Sequence, residues 1–456
     1  MKALENIHTI YFVGIGGIGM SALARFAIRK ELAVFGYDKT KTTLTQTLEK
    51  EGACISFVDN ISTLPQQIKN QETTLVVFTP AISLGNEILR WFIENDYRVM
   101  KRSEFLGEIT QDTLCLAVAG THGKTTTSAI LGHVLAYCNM PVTAFLGGIT
   151  ENYKSNFISN GTQITVVEAD EFDRSFLTLK PDIACITSMD ADHLDIYGDA
   201  KAIEESFLEF ANLVANKSQL LYKKGLPLKG KSVAIAETAD YQAQNIRVNN
   251  GAYVFDFKTP QLTLFNLEFS LPGHHNLHNA ITALGMAILA GAPIKSLPKA
   301  LLTFKGVERR FTYKIKRDDL VLIDDYAHHP TEIDALYQAV TEMYPDDEKL
   351  IVFQPHLFSR TKDFIDGFAE SLAQFNHILL LDIYPAREEP IQGVSSLWLL
   401  DKIKCIAKDV DKIALISKES LLDKVRASSC RIKLLVGAGD IGAEVLAITK
   451  ALEYEN

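Results

Sequence analysis

The stretch Leu114-Cys115-Leu116-Ala117-Val118-Ala119-Gly120-Thr121-His122-Gly123-Lys124-Thr125-Thr126 decides how this chain is read. Its first six residues are apolar without interruption, the pattern of a strand buried on both faces by helices. Glycines, a lysine and threonines follow, and a helical pattern then runs over Thr127–Tyr137. Strand, glycine loop and helix in that order make a phosphate cradle. Backbone N–H groups wrap the phosphates, Lys124 balances their charge, and Thr125 offers a hydroxyl to Mg²⁺. The loop departs from G-x-x-x-x-G-K-[ST] at its first glycine, where Val118 stands. Gly120, Thr121, His122, Gly123, Lys124, Thr125 and Thr126 are therefore the expected ATP-binding residues.

Two acidic segments support a metal beside that loop. The strand Ile164–Glu168 runs into Glu168-Ala169-Asp170-Glu171, and the strand Ile183–Ser188 leads to Asp190-Ala191-Asp192-His193-Leu194-Asp195. Both lie at strand ends in the same part of the chain, so they can converge on one ion. Mg²⁺ prefers oxygen ligands, so His193 is the less expected partner on chemistry alone.

An earlier glycine run, Gly14-Ile15-Gly16-Gly17-Ile18-Gly19, follows the strand Thr9–Val13 and opens the helix Met20–Arg29. A second strand ends at Asp38, where a carboxylate can reach a sugar hydroxyl. The pattern reads as a diphosphate site at a helix N-terminus. Glycines that only pack helix on strand are the alternative, and nothing in the run specifies a nicotinamide.

Short β-branched runs alternate with helical patterns from end to end. They include Leu75–Thr79, Leu320–Ile323, Lys349–Phe353, Ile378–Asp382 and Lys433–Val436. This predicts an α/β protein of parallel sheets covered on both faces, with ligands beyond the carboxyl ends of the strands. A chain of 456 residues exceeds one core, and polar breaks near 107 and 305 divide it into 1–107, 108–304 and 305–456. The less periodic Lys223–Pro260 reads as a small antiparallel elaboration. The net charge of −10, without a Lys/Arg cluster, argues against a nucleic-acid partner. No apolar run reaches the ~18 residues of a membrane span, and no signal core is seen. Six cysteines without a C-x-x-C pair read as reduced thiols. The expectation is a cytoplasmic protein without a membrane partner, a monomer or weak homodimer.

The chain resembles the Mur ligases of peptidoglycan synthesis over essentially its whole length. The resemblance is carried by GIGGIGMSALA at 14–24, AGTHGKTTT at 119–127, VEADEFDRSFL at 167–177, DADHLDIY at 190–197 and GHHNLHNA at 273–280. It continues in ERRF at 308–311, DDYAHHPTEID at 324–334, FQPHLFSRT at 353–361 and DIYPAREEPI at 382–391. It implies a Rossmann-like N-terminal domain that binds a UDP-sugar at Gly14–Gly19 and Asp38, and a central P-loop ATPase domain. A C-terminal Rossmann-like α/β domain would close over ATP and bring the amino acid. Thr125, Glu168 and His193 match the family's Mg²⁺ ligands, and His275, Asn276 and Asn279 its adenine-side motif. Arg309, Arg310 and Asp325 match ATP contacts, and Tyr326, His328 and Arg360 match amino-acid-side residues.

The implied reaction joins L-alanine to the lactyl carboxylate of UDP-N-acetylmuramate at the expense of ATP, through an acyl phosphate. Lys124, Mg²⁺ and an arginine would spread the phosphoryl charge. Arg360 would hold the alanine carboxylate, and His328 would help deprotonate the amine. Other readings stand beside these. His274, His275 and His278 could form a metal cluster. His328 and His329 could simply cap the helix after Pro330, and Arg360 could lie on the surface. Asp346-Asp347-Glu348 reads as a solvated turn. Some sister ligases carry a carbamylated lysine on the helix after the Asp-His motif, and Ala202–Val214 holds none. Leu357 stands where many relatives have another arginine. A ligase for a murein tripeptide, a nicotinamide-dependent oxidoreductase and a P-loop switch protein are the competing functions.

Overall fold

The computed structural model describes residues 4–83, 85–190, 197, 199–249, 252–386, 388–407 and 409–453. The chain divides into two compact units. One comprises residues 1–246, 254–268 and 278–305, and the other 247–253, 269–277 and 306–456.

The first sheet has the order Cys54–Ser56, Ala33–Tyr37, Thr9–Val13, Thr74–Phe78, Arg98–Lys101, and every pairing is parallel. The strand direction of winding reverses beside Thr9–Val13, so the first glycine loop lies at the topological switch point. All five residues of Thr9–Val13 are buried, as a strand covered on both faces requires.

The second sheet has ten strands, in the order Thr263–Phe269, Ala252–Lys258, Tyr241–Asn249, Lys231–Ile235, Leu220–Lys223, Ile183–Ile186, Leu114–Ala119, Ile164–Glu168, Val142–Thr150, Ser155–Ser159. The strand Leu114–Ala119 pairs in parallel with Ile183–Ile186 on one side and Ile164–Glu168 on the other. The acidic and hydroxyl residues that follow those neighbours are thereby delivered to the phosphate loop. Within the Lys223–Pro260 region, the strand Lys231–Ile235 departs from the antiparallel expectation. Lys231–Ile235 pairs in parallel with both Leu220–Lys223 and Tyr241–Asn249, which continues the main sheet. Val142–Thr150 and Ser155–Ser159 pair antiparallel.

Aromatic packing secures the region behind the acidic segment. Phe176 stacks on Phe210 at 4.9 Å with planes 5° apart, and Phe207 meets Phe176 edge-on at 5.4 Å. The helix that supplies Phe207 and Phe210 spans Ala200–Leu213, two residues earlier than the sequence pattern placed it. It therefore carries Lys201, an exposed side chain 3.7 Å from Glu205. Arg25 is buried, with Nε 2.8 Å from Glu51 and a second contact to Asn156. Asn156 also donates to the Ser21 hydroxyl at 2.9 Å. The helix Ile18–Arg29, which begins on the first glycine loop, is thus tied to the edge strand Ser155–Ser159.

The second unit holds a six-stranded sheet, in the order Thr312–Lys316, Val321–Asp325, Ile432–Val436, Lys349–Phe353, His377–Leu380, Ile413–Leu415. Only the edge pair Thr312–Lys316 and Val321–Asp325 is antiparallel. Side chains alternate between two cores. Ile323, Ile351, Phe353 and Leu434 enter one, and Leu322, Leu350, Val352 and Leu435 the other. This period of two with both faces apolar is the signature of a doubly covered sheet. Among the described residues no helix is long and apolar enough to cross a membrane.

Phe210→Ala removes the stacked ring and opens a cavity in a filled core. The expected loss is about 3–5 kcal/mol, read as a lower denaturant midpoint of the first unit, and an unchanged midpoint would contradict this packing.

Candidate functional site

The phosphate loop is built by two glycines in the left-handed region. Gly120 has φ +130° and Gly123 φ +84°. A Cβ on Gly120 would lie 2.1 Å from the Thr187 hydroxyl, and one on Gly123 would lie 2.6 Å from Asn279 Oδ1. Both positions therefore exclude a side chain as well as needing positive φ. The helix starts at Lys124 rather than Thr127. Gly123 takes the cap position, so the lysine and the three threonines form the first helical turn, and their N–H groups point out of its N-terminus.

The walls come from the neighbouring strands. Ser188 Oγ accepts the His122 N–H at 2.7 Å and lies 2.8 Å from the Thr121 hydroxyl. Thr187 donates to the carbonyls of Ala119 and His122. The Asp190 N–H donates to Thr121 Oγ1 at 3.0 Å. His122 Nε2 lies 3.4 Å from Asp190 Oδ2.

The Lys124 ammonium donates to the Gly120 carbonyl at 2.6 Å and to Glu171 at 2.8 Å. Burial works against that charge. Glu171, Asp170 and Glu168 outweigh it and hold the ammonium above its ordinary pKa. Glu171 is 2% exposed, and its pairing with Lys124 is a contact that the sequence pattern missed. The signal available was its place three residues after Glu168, at the end of a strand adjacent to the loop.

Glu168 faces the other side of the same turn. Its Oε1 accepts from the Thr125 hydroxyl at 3.1 Å and its Oε2 from the Gly147 N–H at 3.0 Å. A hydroxyl and a carboxylate side by side are an all-oxygen donor pair, the kind Mg²⁺ takes. His193, the third expected ligand, lies outside the described residues.

At the first glycine loop, Asp38 is turned inward. Its Oδ2 accepts the Gly16 N–H at 2.8 Å and its Oδ1 the Thr40 N–H at 3.0 Å. Gly17 caps the helix Ile18–Arg29, and the Arg102 side chain packs on Gly19. Arg102 also reaches Asp170 at 3.1 Å, which links this loop to the acidic segment beside Lys124. Ile15 is buried and Ile18 exposed.

Asn279 rests on Gly123 in the first unit. Asn276 donates to the Pro272 carbonyl at 2.7 Å in the second unit, where His275 packs on Gly273. The three-histidine metal reading does not hold. His278 is buried 3.3 Å from the Val233 carbonyl, and burial pulls it down to about 4. His274 is exposed beside Glu342.

The second unit gathers its expected residues at the carboxyl ends of its strands. The guanidinium carbons of Arg309 and Arg310 each lie over the Tyr326 ring, 5.1 Å from its centroid. The Tyr326 N–H donates to the Arg309 carbonyl at 2.7 Å. Asp325 accepts the Phe311 N–H at 2.6 Å and the Ala327 N–H at 2.7 Å, so its carboxylate ties two loop segments together. Burial pushes it up to about 6 against the pull of Arg310.

His328 Nδ1 lies 2.9 Å from the Tyr326 carbonyl and 3.3 Å from Glu332. Both are acceptors, so the proton is assigned to Nδ1. His329 alone is the helix cap, accepting from the Thr331 N–H at 3.3 Å. Arg360 is buried rather than on the surface, with a guanidinium nitrogen 3.2 Å from His356 Nδ1. His356 in turn stacks on Tyr384 at 5.8 Å and meets His328 edge-on at 6.1 Å. His356 and Tyr384, from the segments 353–361 and 382–391, belong to this cluster.

This loop, cut into a parallel sheet with acidic and hydroxyl walls, defines a P-loop nucleotide-binding α/β protein. The chain matches the Mur ligase family catalytic domain over residues 9–113, the Mur ligase middle domain over 118–287 and the Mur ligase glutamate ligase domain over 309–439. It is 56% identical over 456 residues to a UDP-N-acetylmuramate–L-alanine ligase of Christiangramia forsetii, covering 100% of each chain. A ligase of the same name from Flavobacterium psychrophilum is 55% identical over 450 residues, with 99% of each chain covered. The UDP-N-acetylmuramate-alanine ligase structure from Thermotoga maritima aligns with a TM-score of 0.82 at 25% identity, covering 98% of this chain and 100% of that one. A murein peptide ligase from Psychrobacter arcticus has the same fold, with a TM-score of 0.70 at 21% identity, covering 98% and 99%. The chain belongs to the Mur ligase family.

Two measurements probe this geometry. Glu171→Gln leaves the Lys124 ammonium without its counter-ion, at a cost of about 3–5 kcal/mol, seen as a lower denaturant midpoint; an unshifted midpoint would show the pair to be dispensable. The raised pKa of Asp325 means that the folded state holds this proton more tightly than the unfolded one. Its contribution to stability is full below the ordinary carboxylate pKa and is lost as pH rises through about 6. Asp325→Asn should flatten stability against pH across that window, and an unaltered slope would remove Asp325 as its source.

Proposed function

We propose that this protein is an ATP-dependent carboxylate–amine ligase that joins L-alanine to the lactyl carboxylate of UDP-N-acetylmuramate, a step of peptidoglycan precursor synthesis. The observation that carries the reading is the Lys124–Thr125–Glu168 turn, set in a chain 56% identical end to end to a ligase of that name.

A carboxylate cannot expel oxide when an amine attacks, so it must first be activated. The lactyl carboxylate oxygen attacks the γ-phosphorus of ATP, ADP leaves, and an acyl phosphate forms. The neutral amine of alanine adds to its carbonyl carbon. The tetrahedral intermediate collapses, the C–N bond remains, and phosphate departs with the electron pair of the C–O bond.

In this assignment the backbone N–H groups of Gly120–Thr126 cradle the ATP phosphates, and Lys124 moves its charge from Glu171 onto them. Thr125 and Glu168 would hold Mg²⁺, with His193 as the further ligand the family resemblance implies. The ion would supply positive charge to the phosphates. Asn279, Asn276 and His275 are assigned to the adenine side, and Arg309, Arg310 and Asp325 to ATP. Asp325 acts there by shaping the loop that presents the two arginines.

Gly14–Gly19 takes the UDP-sugar diphosphate, with Asp38 as the brace of that loop. Arg360, its guanidinium oriented by His356, takes the alanine carboxylate. Tyr326 lines the same side, and His328 Nε2 receives the amine proton. The residue ranges 1–107, 108–304 and 305–456 are assigned to the UDP-sugar, ATP and amino-acid roles. We assign the enzyme to the cytoplasm, in keeping with its free cysteines, as a monomer or weak homodimer.

The test is phosphate release from Mg²⁺-ATP with UDP-N-acetylmuramate and L-alanine, glycine or L-serine added singly, the product being weighed by mass spectrometry. Release that needs both sugar and L-alanine, with one alanyl residue gained, is expected. Lys124→Ala should lower kcat by about 10²-fold or more, whereas Arg360→Ala should act mainly on the KM for alanine. Turnover that only a murein tripeptide supports would reassign the amino substrate.

A further inference from the structure

The amino ends of the parallel strands in the second unit carry a different chemistry from their carboxyl ends. Glu348 immediately precedes Lys349–Phe353, His377 opens His377–Leu380, and Cys430 stands two residues before Ile432–Val436. These three strands are neighbours in the sheet. One ligand atom from each of the three side chains lies within 4.8 Å of the other two. His377 Nε2 is 3.2 Å from Glu348 Oε2. The other carboxylate oxygen, Oε1, is held by Lys412 at 3.2 Å, which fixes how the group is turned. Cys430 is buried, His377 half-buried and Glu348 exposed, so the cluster runs from the core to the surface. The turn that reads as solvated in the sequence is therefore engaged. Its Asp347 also pairs with Arg431 at 2.7 Å, beside Cys430 in the chain.

We propose that Glu348, His377 and Cys430 form a binding site for a borderline divalent cation, Zn²⁺ foremost, with solvent water completing a tetrahedron. A sulfur, a nitrogen and an oxygen donor together suit Zn²⁺ and disfavour Mg²⁺ and Ca²⁺. Zinc–ligand bonds of roughly 2.0–2.3 Å set ligand atoms about 3.3–3.8 Å apart on a tetrahedron. The Glu348–His377 pair, at 3.2 Å, is within about 0.1 Å of that spacing, and the Cys430 sulfur lies within 4.8 Å of both.

Binding converts the Cys430 thiol to a thiolate and releases its proton to solvent, while Lys412 keeps its bond to the outer oxygen. Burial and Glu348 oppose that ionisation, and the Ser428 hydrogen bond, Lys433 and Lys412 favour it. The ion would clamp the starts of three strands that arrive from three separate connections. It would bind the folded unit and not the unfolded chain, and so would stabilise it. The site lies at the opposite strand ends from His328, His356 and Arg360, so its effect is on folding and not on the acyl transfer.

The probe is Co²⁺, which reports thiolate ligation by a near-ultraviolet charge-transfer band, titrated into the full chain. The expected result is a saturable band displaced by Zn²⁺, absent in Cys430→Ser and weakened in affinity by about tenfold or more in His377→Ala and Glu348→Gln. Zn²⁺ should raise the Tm of the wild type, raise that of the His377 and Glu348 variants less, and leave Cys430→Ser unchanged. No band in the wild type would overturn the proposal. So would a band that persists in Cys430→Ser, which would assign the ion to exposed Cys54 or Cys405. If Cys430→Ser does not fold, wild-type cobalt affinity in both surface variants would overturn it equally.

Discussion

A lysine ammonium sealed into the first turn of a helix has to find oxygen atoms on every side, and that requirement shapes the phosphate loop of the first unit. Lys124 reaches back to the Gly120 carbonyl and across to Glu171. The first contact needs a loop so tight that Gly120 and Gly123 adopt positive φ. The second needs the strand Ile164–Glu168 to run directly beside Leu114–Ala119 and end level with it. The parallel register supplies that. It also sets Glu168 against Thr125 on the far side of the turn, so one pairing of strands positions both the cation's partner and the hydroxyl's. A buried charge pair gives modest net stability but a severe cost when broken, so it fixes geometry more than it adds strength.

The second unit solves an analogous problem with cations set over rings. Arg309 and Arg310 lie against one tyrosine ring, and Arg360 is set by an imidazole that itself stacks on Tyr384. Planar cations on planar rings lose little freedom when a carboxylate or phosphate arrives. The loops that carry them are tied by Asp325, whose two oxygens hold N–H groups on either side.

The strands and glycine loops were legible in the sequence because both are local. Unbroken apolar runs mark buried parallel strands, and glycine beside Lys-Thr marks a phosphate turn. The early start of the helix at Lys124 was hidden because Gly, Lys and Thr read as loop until Gly123 is known to be a cap. Contacts between distant segments were not legible. Glu171 looked like one more acid in an acidic run, Asp38 like a free carboxylate, and Glu348 like a solvated turn. Each acquires its partner only when strands far apart in the chain align. Lys231–Ile235 is a related case: Lys231 and Ser232 interrupt the continuous apolar run that announces parallel pairing.

The order of strands in the third sheet bears on how the chain is made. Ile432–Val436 comes last of the described strands, yet it lies between Val321–Asp325 and Lys349–Phe353. Until it emerges, those two strands have an unfilled gap between them and two apolar faces to hide. During synthesis the first unit can settle while this one waits, with its longest-range pairing still to be made. A truncation short of Ile432 would remove the sheet's middle and not its margin. Quality control in the cell would then meet an open sheet with exposed apolar surface, a substrate for proteases rather than a weakened ligase.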